Sequence, residues 1–315
     1  MSEFDLIRKH FTRPTKHTHL GIGDDAALIT VGTGMELAVS TDMLVAGTHF
    51  FADADPCKLG WKSLAVNLSD MAAMGAKPKW ATLAVSLPEN NTTWLGLFSQ
   101  GFFSCAEAFE VDLIGGDTTR GSLNISVQIM GEVPIGQAIK RSGAKVDDDI
   151  WVSGKLGCAA LALAHLQRKE QIANSLSHHL QALHSPQPRV ALGIALRGLA
   201  NSCLDISDGL ISDLGHITTA SNVGAEIYLE TIPTSTYIKK HLKTSAFQHY
   251  VLAGGDDYEL CFTAPQRRSA DILAIAKNVN APVVKIGRIT ADKVVTVLDA
   301  GNLIQLGQTG YNHFN

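Results

Sequence analysis

Gly21-Ile22-Gly23-Asp24-Asp25-Ala26-Ala27 sets two adjacent carboxylates between a glycine hinge and small apolar residues. Such a pair has little packing use and suits a cation. Successive side chains of an extended segment point to opposite faces, so Asp24 and Asp25 are expected to divide the work, one facing a site and one supporting the turn. Spacing does not say which. Alone, the heptapeptide is equally well an ordinary solvated turn, since Gly and Asp are common turn residues. Recurrence gives it weight. Glu36 to Ser40 reads as a buried strand emptying into Thr41-Asp42, and Val111 to Ile114 as a short strand ending in Gly115-Gly116-Asp117-Thr118-Thr119-Arg120. Ser202 to Asp205 reads as a strand passing through Ile206-Ser207-Asp208-Gly209 into a helix, with Ser207 or Asp208 able to cap it. Gly254-Gly255-Asp256-Asp257-Tyr258-Glu259 then precedes the strand Cys261-Phe262-Thr263. Acids and glycines at strand ends, where loops carry function, in a chain alternating strand and helix patterns, point to an α/β protein.

Outward from these turns, Pro56 opens a helical pattern through Leu59, Ser63, Val66, Asn67, Asp70 and Met74, stopped by Gly75 and Pro78. Asp70 lies among Leu68, Met71, Ala72 and Ala73; a buried carboxylate there needs a partner, and an exposed one would simply sit on the polar face. Lys79 to Leu87 reads as a strand, Thr92 to Phe109 as an amphipathic helix, and Leu123 to Val133 as a strand. The second half opens with the strand Ile150 to Ser153, followed by helices over Ala159 to Leu166, Ile172 to Leu183 and Val190 to Leu199. The polar link Lys145-Val146-Asp147-Asp148-Asp149 marks a domain boundary, giving domains at 1–145 and 146–315, in keeping with about two domains for 315 residues.

Composition narrows the function. A net charge of -4 gives no general basic surface for nucleic acid or anionic lipid. No apolar run approaches the roughly 20 residues of a membrane span, and the N-terminus reads as a charged amphipathic helix rather than a signal peptide. The five cysteines are far apart, without a Cys-x-x-Cys pair, which favours the reducing cytoplasm. None of the 12 histidines makes a zinc-like pair beside a carboxylate.

Asp25, Asp42, Asp70, Asp117, Asp205 and Asp208 lie near the expected strand and helix ends. If they converge, like charges at close range need a hard cation to remain ionised. Oxygen-only donors suit Mg2+, which keeps water and seeks phosphate oxygens, so the implied substrate is a polyphosphate. Neither a Walker loop nor the protein-kinase motifs are present. A nucleotide would then rest on metal bridges, on the Gly115-Gly116 backbone and on cations such as Arg120 and Arg141, although either arginine serves equally well as a solvated surface group. His49, close to Ser40-Thr41-Asp42, is a candidate substrate contact.

Gly21 to Ala27, Ser40-Thr41-Asp42, Asn67-Leu68-Ser69-Asp70-Met71-Ala72-Ala73-Met74-Gly75-Ala76, Gly115 to Thr118, Asp205 to Leu210 and Gly255 to Leu260 together resemble the thiamine-monophosphate kinases. The six motifs occur in order and cover nearly the whole chain. The wider aminoimidazole ribonucleotide synthetase-like superfamily shares the acidic loops. The resemblance implies a two-domain α/β (α+β) fold whose N-terminal sheet pairs across a homodimer, with a C-terminal α/β domain closing over the nucleotide. It implies ATP as co-substrate and thiamine monophosphate as acceptor, several Mg2+ ions, and neither nucleic acid nor membrane as partner. Carried over by position, the metal ligands are Asp25, Ser40, Thr41, Asp42, Asp70, Asp117, Asp205 and Asp208, with Asp42, Asp117 and Asp205 the acids on which turnover depends. Gly116, Asp117, Arg141 and Ser207 would meet ATP; His49, Asp256 and Tyr311 would meet thiamine monophosphate. The competing expectations are another ATP-dependent synthetase of the superfamily, or a non-catalytic Mg-ATP sensor.

Overall fold

The computed structural model describes residues 3–172, 176–305, 307, 310 and 311. The chain falls into two compact units, one of Met1–Met71 with Ala76–Gly136 and the other of Ala72–Gly75 with Gln137–Asn315.

In the first unit the order is α1 (Glu3–His10), β1 (Met35–Val45), α2 (Pro56–Ala73), β2 (Lys77–Leu87), α3 (Thr92–Ala108), β3 (Asp112–Arg120) and β4 (Asn124–Pro134). The sheet runs β1-β4-β2-β3, antiparallel except for β2 with β3, which are parallel and joined through α3. Helix α2 starts where Asp55 accepts from the amides of Cys57 and Lys58, with Pro56 at the first helical position. Helix α3 starts at Asn91, whose side chain accepts from the Trp94 amide at 3.0 Å. Leu83, Val85, Ile125, Val127 and Ile129 of one sheet face are buried, as are Leu64, Leu68, Phe98 and Phe102 of α2 and α3. The helices meet backbone to backbone: a Cβ at Gly60 would overlap the Phe98 carbonyl, and one at Gly101 the Cys57 carbonyl.

Two strand readings need correction. Glu36 to Ser40 is not a buried strand ending at Thr41: β1 continues through Thr41 and Asp42 to Val45 at the edge of the sheet. Its alternate residues Leu37, Val39 and Met43 are 40%, 52% and 54% exposed, because no described element of this chain covers that side. Nor is Gly115 to Arg120 a turn; it is the second half of β3, in parallel register with Thr82 to Leu87.

In the second unit the order is β5 (Asp148–Ser153), α4 (Cys158–Leu166), α5 (Leu176–His184), α6 (Val190–Ala195), β6 (Ser202–Asp205), α7 (Leu210–Ser221), β7 (Gly224–Tyr228), α8 (Thr236–His241), α9 (Ser245–Leu252), β8 (Leu260–Pro265), α10 (Ser269–Asn278), β9 (Val283–Thr290), β10 (Val295–Asp299) and β11 (Asn302–Leu303). The sheet order is β11-β10-β7-β9-β5-β8-β6. Ile150, Val152, Leu156, Leu161, Leu204, Ile206, Leu214 and Ile286 belong to one buried cluster, so the sheet and α4 and α7 share a core. Helix α6 ends at Ala195, short of the expected Leu199, and the chain turns through Gly198 at φ 70°. Of the helix expected over Ile172 to Leu183, residues 173–175 lie outside the described residues. Edge strand β6 delivers Asp205 to the start of α7.

Candidate functional site

In the first unit the pleat of β1 turns Ser40 and Asp42 to the buried side of the sheet and Thr41 to the open side. On α2, Asn67 and Asp70 are three residues apart and share a face. Ser40 Oγ donates to Asp70 Oδ2 at 2.5 Å, and the Asp42 amide donates to Asn67 Oδ1 at 3.2 Å. Asn67 is buried and fixed in turn by donating Nδ2 to the Ser63 carbonyl. Burial, and then the neighbouring Asp70 carboxylate, push the Asp42 carboxyl up to about 7. The crowded pair of acids and the hydroxyl beside it form an all-oxygen donor set that fits Mg2+.

Of the other candidates of this unit, Asp117 stands apart from that group. Across the ladder Asp42 lies level with Val127, Leu83 and Gly116. Asp117 lies level with Ala84, Ser126 and Met43 on the open side, three strands from β1 and so roughly 14 Å away. Among the described residues no three His, Cys, Asp or Glu side chains form a ready metal-holding group. Gly116 has a packing reason that sequence did not show, because a Cβ there would overlap the Leu83 carbonyl of the neighbouring strand. Asp24 and Asp25 are exposed in an excursion closed by the bridge between Leu20 and Leu28, and Asp24 Oδ1 accepts the Asp25 amide at 2.9 Å. Asp24 thus supports the turn. His49 follows β1, and its Nδ1 accepts the Val45 amide at 3.0 Å. That contact puts the ring proton of the neutral imidazole on Nε2.

In the second unit the acids of the β6 to α7 turn gather. Asp205, 8% exposed, ends β6, and the amides of Ser207, Asp208 and Gly209 all donate to Asp213 Oδ2, at 3.1, 3.0 and 3.0 Å. The cap of α7 is therefore neither Ser207 nor Asp208. Gly209 stands at the cap position before Leu210 and makes no side-chain cap bond, while Asp213 reaches back from inside the helix. Burial raises the Asp213 carboxyl to about 6, against the pull of those amides. Asp256 joins this turn through its amide, which donates to the Ser207 carbonyl at 2.8 Å, and Tyr311 through its amide on the Asp208 carbonyl at 3.0 Å. Asp205, Ser207, Asp208, Asp256 and Tyr311 are thus neighbours. Arg141 is not among them: its carbonyl accepts from Ser221 Oγ at the far end of α7, a 12-residue helix about 18 Å long.

The sequence and fold match known proteins over most of their length. The model of the AIR synthase related protein N-terminal domain matches residues 23–133, and that of the C-terminal domain matches residues 145–299. The chain is 45% identical over 322 residues to thiamine-monophosphate kinase of Escherichia coli (strain K12), covering 99% of this chain and 98% of that protein. Its fold is similar to the crystal structure of thiamine-monophosphate kinase from Stenotrophomonas maltophilia K279a, with a TM-score of 0.86, 43% identity, and coverage of 93% and 94% of the two chains. It is also similar to a structure described as AaThiL complexed with AMPPCP and TMP, with a TM-score of 0.78, 30% identity, and coverage of 99% and 96%.

Proposed function

We propose that this chain, which belongs to the thiamine-monophosphate kinase family of AIR synthase related proteins, transfers the γ-phosphoryl group of ATP to thiamine monophosphate and so forms thiamine diphosphate. The observation that carries this reading is full-length likeness to a protein described with AMPPCP and TMP bound. The attacking atom is an oxygen of a phosphate monoester, whose second pKa is about 6, so it is already largely ionised at neutral pH. No side chain has to remove a proton from it. His49 agrees with that, since its Nδ1 already accepts a backbone amide.

The obstacle is repulsion between two anionic phosphates, and the chain meets it by neutralisation and in-line positioning. Ser40, Asp42 and Asp70 are the best supported holders of Mg2+, with Asp25, Thr41, Asp117, Asp205 and Asp208 completing the proposed ligand set. When bound, Mg2+ supplies positive charge at the phosphate oxygens. Ser207, Gly116, Asp117 and Arg141 bind ATP in this reading; His49, Asp256 and Tyr311 bind thiamine monophosphate, where an acid or an aromatic face suits the cationic thiazolium. The enzyme works in the cytoplasm, a reading supported by five free cysteines and by the absence, among the described residues, of a helix able to cross a membrane. It works as a homodimer, supported by the exposed Leu37, Val39 and Met43 of the edge strand.

The test is ADP release by the purified protein with ATP, with and without thiamine monophosphate, in Mg2+ and after chelation. Release that requires both thiamine monophosphate and Mg2+, with thiamine diphosphate as product, is expected. ADP release indifferent to thiamine monophosphate would overturn the reading.

A further inference from the structure

Asp256-Asp257-Tyr258-Glu259 carries three acids, and the structure separates their tasks. The Glu259 carboxylate, 9% exposed at its side chain, is gripped by the Arg189 guanidinium: Nε donates to Oε2 at 2.7 Å and Nη2 to Oε1 at 2.5 Å. Ser153 Oγ, at the end of β5, donates to Oε2 as well and accepts the Leu260 amide at 2.8 Å. A side chain at Gly154, which stands at φ 58°, would overlap the same carboxylate. Burial opposes the Arg189 charge, but the hydrogen bond and charge of Glu259 outweigh it and hold the guanidinium above its ordinary value. Asp257 turns to the start of α4, where both of its oxygens accept the Gly157 amide.

Beyond the strand ends, the ladder of β6 with β8 continues as a ribbon. The Ile206 amide donates to the Glu259 carbonyl, the Tyr258 amide to the Ile206 carbonyl and the Asp256 amide to the Ser207 carbonyl, each at 2.8 Å. Asp256 and Tyr258 adopt φ of 68° and 49°, a conformation that non-glycine residues keep only where their surroundings over-determine it. The ribbon hydrogen bonds hold these two residues from one side, and the Arg189 grip fixes Glu259, the residue that follows Tyr258.

We propose that Arg189 and Glu259 are positioning residues: their buried fork, closed by Ser153, sets the spacing between the turn carrying Asp205, Ser207 and Asp208 and the turn carrying Asp256. The link to phosphoryl transfer rests on the function proposed above; the link to loop geometry does not. Arg189 acts on both turns through Glu259, which its fork holds at the end of β8.

The test compares Arg189→Ala, Arg189→Lys and Glu259→Gln with the parent protein. Amide hydrogen exchange at Ile206, Asp256 and Tyr258 is read against the amides of β9, without substrate. In Arg189→Ala, exchange at the three ribbon amides should rise by about tenfold or more while β9 is unchanged. The lysine variant keeps the charge but loses the fork, and should fall between the two. In the kinetic arm, KM for thiamine monophosphate should rise more than kcat falls. Equal acceleration at β9 and the ribbon would assign the pair to general stability, and an unchanged ribbon would assign it no role; either result overturns the proposal. If Arg189→Ala does not fold, the same comparison is made with Arg189→Lys, for which unchanged ribbon exchange is refuting. A parent protein inactive on thiamine monophosphate would defeat the functional reading and leave the exchange result standing.

Discussion

Replacing Gly101 by alanine should destabilise the first unit, although the same change in the middle of an ordinary helix stabilises it. Helix propensity alone favours alanine over glycine by about 1 kcal/mol. Against that, a Cβ at position 101 would stand 2.6 Å from the Cys57 carbonyl carbon and nearer still to its oxygen, where apolar contacts begin at about 3.5 Å. The obstacle is backbone, so no rotamer change relieves it, and α2 and α3 must part by roughly an ångström. The reciprocal approach of Gly60, whose Cβ would meet the Phe102 amide nitrogen at 2.8 Å, leaves no direction in which the helices can slide freely. Overpacking of this kind costs about 1–3 kcal/mol, occasionally more, so the net effect is a loss of up to roughly 2 kcal/mol. Gly96 lies on the same helix, and the nearest neighbour that an added methyl would meet there is the His10 ring at 3.8 Å, so Gly96→Ala should gain up to about 1 kcal/mol. Three of the four tryptophans, Trp61, Trp80 and Trp94, lie in this unit, and Trp94 stacks on Phe98 at 5.1 Å. Urea unfolding followed by tryptophan fluorescence, compared with a Trp151→Phe background that silences the second unit, therefore reads it. Because α2 also carries Asn67 and Asp70, Gly101→Ala should lose turnover too. A Gly101→Ala protein at least as stable as Gly96→Ala would refute the backbone-contact reasoning.

Asp42→Asn and Asp117→Asn should each remove most turnover, and Asp42→Asn should hold or gain stability because burial already disfavours its charge. Near-normal rates at saturating Mg2+ would exclude their proposed role. His49→Ala should raise KM for thiamine monophosphate by roughly 3- to 10-fold, the worth of one hydrogen bond; an equal fall in kcat at constant KM would mean that His49 acts in the transfer itself. Burial opposes the Glu132 charge, but Lys79 at 2.5 Å and the Gly32 amide at 2.8 Å hold its carboxyl below the ordinary value of 4.5. Its contribution is complete above that value and disappears as pH falls through the lowered folded-state value. Glu132→Gln should therefore be less stable than the parent at pH 7, with the difference closing below about pH 4 in denaturation curves taken across that range.

The starts of α2 and α3 were legible from the sequence because helix boundaries are local: Pro56 opens the one and the amphipathic pattern from Thr92 the other, and the structure adds Asp55 and Asn91 as their caps. The edge strand was misread because Leu37, Val39 and Met43 look like core residues until the sheet order shows no described element on their side. Gly115 to Arg120 looked like a turn because the glycine that lets β3 approach Leu83 is indistinguishable, in sequence, from one that lets a ligand approach. Among the candidates, the spacing of Asn67 and Asp70 on one helix foretold a shared face, but their meeting with Ser40 and Asp42 depends on β1 lying beside α2. Arg189 and Glu259 are 70 positions apart, and no local pattern connects them.

The surplus of acids over any plausible ligand count follows from the turns themselves. A tight turn leaves consecutive amides without partners, and a buried amide left unpaired costs about as much as a lost hydrogen bond. A carboxylate answers several amides at once: Asp213 takes three, and Asp112 takes the amides of Lys16 and His17 together with the Thr18 hydroxyl. Glu132 takes Gly32 at the other end of the segment that carries Asp24 and Asp25. The segment carrying Asp24 and Asp25 is thus held at both ends by buried acids from elsewhere in its unit, and the Ser207 to Gly209 turn by a buried acid of the helix that follows it. This arrangement gives the two classes opposite signatures under substitution. Truncating an anchor, as in Asp112→Ala or Asp213→Ala, strips several amides of their acceptor and should loosen a loop and lower stability, whereas neutralising Asp42 should spare the fold and lower turnover.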